Sequence, residues 1–219
     1  MESNDYSYKR DWNQIYTSHF DGLYNLPWLG VNFEKELIEF IDSIPRDARI
    51  IDIGCGDGSL CKHLASLGFT DVLGIDVSDL LISRVKESNQ SGAVFQVMDA
   101  FDLPDDEKYD VVFCRLLLHH MVPIDKLRLL KKLNAILKPD GGLLYLSFLS
   151  SYQSKLPFKE RLSYFTEEHR VMMYNPQHVK DTLRDLGLSK PEKEEQLEIV
   201  KGQYREQYHL LIYKKTANS

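Results

Sequence analysis

The sequence predicts an α/β fold in which helices cover a mostly parallel sheet, and three observations carry that prediction. From Arg49 onward, short apolar runs alternate with stretches of helical periodicity, the pattern of successive βα units. One run, IIDIGCGDGSL from Ile50, breaks into glycines at alternate positions and then turns helical. Two later runs end in a single acid, Asp76 and Asp99, where strands of such a sheet meet a ligand edge.

Taken in chain order, residues 1–48 lie outside the βα alternation. They carry Tyr6, Tyr8, Trp12, Tyr16, Phe20, Tyr24 and Trp28 ahead of an amphipathic helix at Phe33 to Ile44, and read as a cap or lid. Residues 49–148 form the core, with strands at Arg49 to Ile53, Val72 to Ile75, Val94 to Met98, Tyr109 to Cys114 and Leu143 to Phe148. Helices are expected at Ser59 to Leu67, stopped by Gly68, at Leu80 to Glu87, and at Ile124 to Leu137, ended by KPDGG. Residues 150–175 are a basic and aromatic insert. Residues 176–219 supply a helix at Pro176 to Leu186 and two strand-like runs, Gln196 to Val200 and Tyr208 to Tyr213, read as a hairpin around KGQYREQ.

Bulk composition narrows the function classes. A chain of 219 residues can bury a core without staples, and one domain over 1–219 is the expectation. MESNDYSYKR has no cationic and then apolar leader, and no run approaches the roughly 18 apolar residues of a membrane helix, so a cytoplasmic protein without a membrane partner is expected. Cys55, Cys61 and Cys114 show no zinc-type spacing, which argues against a metal or a disulfide framework. A net charge of −6 without a basic stripe lowers the case for nucleic acid. A small-molecule substrate and a monomer or homodimer remain.

The glycine run is expected to bring bare main chain, its N–H groups and a helix N-terminus close to a ligand, with Gly54, Cys55 and Gly56 in the approach. Asp76, about 20 residues on, stands where a carboxylate holds ribose hydroxyls, and Asp99 with the Ala100 N–H could read an adenine edge. A nicotinamide dinucleotide would want G-x-G-x-x-G, but Ser59 occupies the third position counted from Gly54. Asp52, at the strand end, would repel a pyrophosphate and suit an ammonium group, so a cationic adenosine ligand without phosphate is favoured.

These motifs resemble the class I S-adenosylmethionine-dependent methyltransferases, in their small-molecule branch. IDIGCGDG is similar to the family's glycine motif, GIDVS to its ribose motif, QVMDAFDLP to its adenine motif, YDVVFCRLLLHHM to its fourth motif, and LNAILKPDGGLLYLSF to the approach to the fifth strand. The resemblance implies a Rossmann-like three-layer sandwich with a seven-stranded, mostly parallel sheet and an antiparallel final strand. It implies S-adenosyl-L-methionine as cofactor and S-adenosyl-L-homocysteine as product. Asp52 and the Gly54 to Gly56 backbone would face the methionine part, Asp76 the ribose, and Val77 and Leu81 the base. Asp99, Ala100 and Phe101 would meet the adenine edge, and the Cys114 and Arg115 backbone the sulfonium side. Asp57 and Asp140 depart mildly from the family pattern.

Methyl transfer needs an aligned acceptor and, for a hydroxyl, a base. Imidazole titrates close to neutrality, and His119 and His120 end the fourth motif, so both are candidates with His120 preferred. DWNQIY and YNLPWLG resemble the cap segments of small-molecule methyltransferases, with Tyr16 and Trp28 as site-facing rings. Lys155, Lys159, Arg161, His169 and Arg170 could meet an anionic acceptor. No Pro-Cys pair accompanies Cys114, and D/N-P-P-Y/F is missing from the fourth motif, so nucleobase methylation ranks low. A catalytically silent cofactor-binding subunit and a nicotinamide oxidoreductase are the competing expectations.

Overall fold

The computed structural model describes residues 12–18, 33–150, 172–201 and 204–217. Trp28 and the insert cations Lys155, Lys159, Arg161, His169 and Arg170 lie outside the described residues. Seven strands form one sheet: β1 (Arg49–Ile53), β2 (Asp71–Asp76), β3 (Val94–Val97), β4 (Val111–Arg115), β5 (Leu143–Leu149), β6 (Lys193–Lys201) and β7 (Tyr204–Lys214). Their order is β3-β2-β1-β4-β5-β7-β6. Strands β1 to β5 pair in parallel, and β7 runs antiparallel between β5 and β6.

Helices cover both faces. On one lie α2 (Lys35–Asp42), α3 (Ser59–Ser66) and α4 (Asp79–Ser88), packed with Phe40, Leu64, Val85, Phe95 and Phe113 in a single apolar cluster. On the other lie α5 (Pro123–Ile136) and α6 (Pro176–Asp185), whose Leu130, Leu133, Val179 and Leu183 pack with Val112, Leu144 and Leu146. The central strands are buried on both sides, hence their largely apolar runs, which Asp52 in β1 and Ser147 in β5 interrupt. Helix α1 (Trp12–Ser18) sits apart from both layers against α4, where Asn13 accepts from the Ser78 hydroxyl at 2.7 Å. No described helix is long and apolar enough to cross a membrane.

Local chemistry sets the element ends. Ser78 caps α4 by accepting from the Leu81 N–H at 3.1 Å, and Asn175 caps α6 ahead of Pro176. Two boundaries differ from expectation. Tyr109 forms only an isolated bridge with Leu137, so β4 begins at Val111. The tail strands run further toward each other than the apolar runs suggested, because most of KGQYREQ is itself paired backbone.

Gly58 illustrates how tightly the first crossover is built. It opens α3 in the left-handed region (φ +70), and a Cβ there would lie 2.7 Å from the Phe95 ring and 2.9 Å from Val85. Gly58→Ala therefore combines a left-handed penalty of about 1–2 kcal/mol with overpacking of about 1–3 kcal/mol. A thermal melt should show a drop of roughly 4–20 °C; a midpoint unchanged from wild type would contradict this packing.

Candidate active site

A cleft opens at the carboxyl ends of β1, β2, β3 and β4, where the strand order reverses between β1 and β4. Parallel sheets bind ligands at such a reversal. It encloses about 1100 Å³ counting its open mouth, ample for a nucleoside-sized ligand. Of the residues singled out from sequence, Asp52, Gly54, Cys55, Gly56, Asp76, Val77, Asp99, Ala100, Arg115, His120 and Tyr16 line it.

The glycine loop makes an unexpected use of its backbone. The Gly54 and Cys55 N–H groups both donate to the Ile75 carbonyl at 2.9 Å, and the Gly56 N–H donates to Asp76 Oδ2 at 3.0 Å. The Gly58 N–H returns to the Cys55 carbonyl, and the Ser59 N–H to Asp57 Oδ1. The expected row of donors facing a ligand is thus turned into the fold. Among the described residues, the Gly54 and Gly56 carbonyls accept no hydrogen bond. A glycine loop whose N–H groups are already bonded makes a poor cradle for pyrophosphate, and carboxylates beside it suit an ammonium group. Gly54 (φ +73) also lets Leu117 approach to 3.1 Å from where its Cβ would stand.

Three carboxylates occupy distinct depths. Asp52 is 4% exposed, and burial pushes its carboxyl up from 3.8 to about 7, opposed by the Arg115 guanidinium and by the Cys61 thiol 3.7 Å away. Asp76 is also raised by burial, against backbone N–H bonds from Ser78, Gly56 and Val77. Asp99 caps the 3-10 turn Ala100–Asp102 by accepting from the Phe101 N–H at 3.0 Å, and Ala100 lines the cleft beside it. Val77 is an exposed apolar side chain at the rim.

Also on the cleft wall, His120 meets Trp12 edge to face at 4.8 Å, and Trp12 and Tyr16 lie 5.7 Å apart as an i, i+4 pair of α1. Leu116, Leu117 and Met121 complete this apolar wall. Trp12, Phe33 and Leu116 were not singled out as site residues. Trp12, Tyr16, Phe20, Tyr24 and Trp28 recur at every fourth residue, so spacing alone does not single out Trp12, and Leu116 (φ +55) adopts a conformation that leucine does not advertise. Such strain in a non-glycine residue clusters at functional sites.

Four sequence assignments are displaced. Leu81 is buried under the α4 cap, Cys114 is wholly buried inside the sheet, and Phe101 packs on the core beneath Arg128, 4.2 Å from its ring; none lines the cleft. His119 is 4% exposed and points inward, its Nδ1 accepting from the Leu149 N–H at 3.4 Å while its carbonyl accepts from Met172 at 2.6 Å. That placement makes it a brace for the turn carrying His120. Among the described residues no cluster of His, Cys, Asp and Glu could hold a metal ion.

A seven-stranded sheet with one reversed strand and a phosphate-averse cleft at the switch point defines a Rossmann-like methyltransferase fold. The chain belongs to the methyltransferase-domain family, which it matches over residues 31–192, and is a class I S-adenosylmethionine-dependent methyltransferase. It is 28% identical over 205 residues to a ubiquinone biosynthesis O-methyltransferase of Xanthomonas axonopodis pv. citri, covering 86% of this chain and 82% of that enzyme. It is 34% identical over 111 residues to the enzyme of the same description from Coxiella burnetii, covering 49% of this chain and 46% of the relative's length. The Burkholderia thailandensis 1,6-didemethyltoxoflavin-N1-methyltransferase, solved with its substrate and S-adenosylhomocysteine, superimposes with a TM-score of 0.70 at 16% identity, covering 93% of this chain and 86% of that one. The chain transfers a methyl group to a small-molecule acceptor.

Proposed function

We propose that the acceptor is a hydroxyl on a small, apolar aromatic molecule and that His120 is the base. The observation that carries this reading is the position of His120, held edge-on by Trp12 in a wall of Tyr16, Leu116, Leu117 and Met121. A flat apolar acceptor is what such a wall would sandwich, and the O-methyltransferase description of the Xanthomonas relative supports an oxygen acceptor.

The residues present fit the methyl donor. Asp52 with the Gly54 and Gly56 carbonyls would hold its amino group, Asp76 its ribose, and Asp99 with the Ala100 N–H its adenine, with Val77 over the base. When bound, the donor supplies a methyl group already activated on a sulfonium. The chain's work is then to align the acceptor, shut out water and take one proton at a His120 ring nitrogen. The rings of Trp12, Tyr16 and Phe33 add a wall attractive to a positive sulfur, by about 0.5–2 kcal/mol. We also read the enzyme as cytoplasmic, a monomer or homodimer without nucleic-acid or membrane partners; the net charge of −6 supports the exclusion of nucleic acid.

Incubating the protein with methyl-labelled S-adenosylmethionine and a panel of catechols, phenols, amines and thiols tests this. Label should enter the aromatic hydroxyls first. Transfer to amines or thiols alone, or none despite donor binding, would overturn the hydroxyl reading; the last would point to a silent binding subunit.

A further inference from the structure

Behind the cleft, on the α2 and α3 face of the sheet, a row of ionisable side chains runs from β1 to β5. Asp52 lies in register with Phe113, and Phe113 with Tyr145, so all three project from the same face, joined by Arg115 two residues further along β4. Glu34, the residue that opens α2, reaches into this row. Its carboxylate takes the Arg115 guanidinium at 3.0 Å and the Tyr145 hydroxyl at 2.9 Å, with both charged side chains only 16% exposed. Tyr145 is itself clamped between Phe40 and Phe113, so Glu34 has a rigid anchor. Arg115 Nε is buried and, among the described residues, has no hydrogen-bond partner. One guanidinium therefore stands between two carboxylates, and Glu34 is the one that holds it.

Resting on the reading of the cleft as the cofactor site, we infer that Glu34 is a positioning residue for the cofactor. It draws Arg115 toward α2 and so leaves Asp52 free to meet the ligand's ammonium group. With Asp52 ionised, Glu34, Arg115 and Asp52 together carry one net negative charge, which a cationic group entering the cleft would offset. Without the Glu34 charge, Arg115 would turn to Asp52 and compete with the ligand. The other groups facing Asp52 are Asp57 from the glycine loop, Asp76 from β2, and the Cys55 and Cys61 thiols, all neutral or negative. Arg115 is thus the cation whose placement matters.

Calorimetric titration of Glu34→Gln with S-adenosylhomocysteine, which bears the same ammonium group, tests the assignment. In the wild-type protein, affinity should rise about tenfold between about pH 6 and 8 as Asp52 ionises. In Glu34→Gln, affinity near pH 8 should be roughly tenfold weaker and its pH dependence nearly flat, because Arg115 keeps Asp52 ionised throughout. Glu34→Asp, which retains the charge, should recover most of both. Wild-type affinity in the Gln variant, or weaker affinity with an unchanged pH profile, would overturn the proposal and leave Glu34 a packing residue. If Glu34→Gln does not fold, Tyr145→Phe removes one Glu34 anchor without changing charge. It should shift affinity and profile in the same sense, and no shift would overturn the proposal. Absence of binding by the wild-type protein would instead defeat the cofactor reading.

Discussion

His120→Ala should lower turnover on a hydroxyl acceptor by about 10² to 10⁴, the usual contribution of a positioned base, while donor affinity stays within a few-fold of wild type. The separation follows from position. His120 stands on the turn that follows β4, whereas Asp76 and Asp99 follow β2 and β3. Losing the ring also removes an edge-to-face contact with Trp12 worth about 0.5–1.5 kcal/mol, so a small fall in melting temperature accompanies the effect. His120→Gln keeps the volume and should be equally slow. Single-turnover kinetics beside calorimetry read the two quantities apart; turnover unchanged in both variants would remove His120 from the chemistry. His119→Asn should behave differently, losing stability first, since its ring receives the Leu149 N–H at the end of β5.

Asp52→Asn should weaken donor binding by roughly 10- to 100-fold, the worth of a charge-assisted contact, and yet raise the stability of the empty protein at alkaline pH. Burial lifts the Asp52 carboxyl to about 7 in the folded chain, well above the value of about 3.9 expected once unfolded. The folded state therefore holds the proton more tightly. Its contribution to stability is fully present below about pH 4 and is lost as pH rises through about 7. Asparagine cannot ionise, so the variant should melt above wild type near pH 8 and converge with it only below about pH 4. An ammonium group beside Asp52 reverses the preference, so donor binding below about pH 7 should expel a proton, visible as a heat that varies with the buffer's ionisation enthalpy. A variant less stable than wild type at every pH would show that Asp52 is a structural acid and not a strained binding group.

Sequence made the sheet legible because each strand of the core is a short apolar run closed by a residue with a strong local role. Gly54, Asp76, Asp99 and Arg115 all sit at strand ends, so reading the strands correctly placed them at one edge. The direction of the glycine loop was not legible. A glycine permits its φ but does not say which way the neighbouring N–H turns, and here the Ile75 carbonyl and Asp76 claim those donors. The Glu34, Arg115 and Tyr145 network joins residues 81 and 111 positions apart, beyond any periodicity. Leu81 and Phe101 were misplaced for a related reason: one turn into a helix or a 3-10 turn, adjacent side chains diverge by about 100°, so a neighbour of a cleft residue points elsewhere.

A cleft whose glycine-loop N–H groups are spent within the fold and whose floor carries buried carboxylates is expected to hold a cationic sulfur nucleoside and refuse a pyrophosphate. Isothermal titration of the wild-type protein near pH 8, with S-adenosylmethionine in one cell and a nicotinamide adenine dinucleotide in another, tests it in a single comparison. Saturable one-to-one heat with the first and none with the second is the expected result. Binding of the dinucleotide, or silence toward the sulfonium compound, would contradict the account at its base.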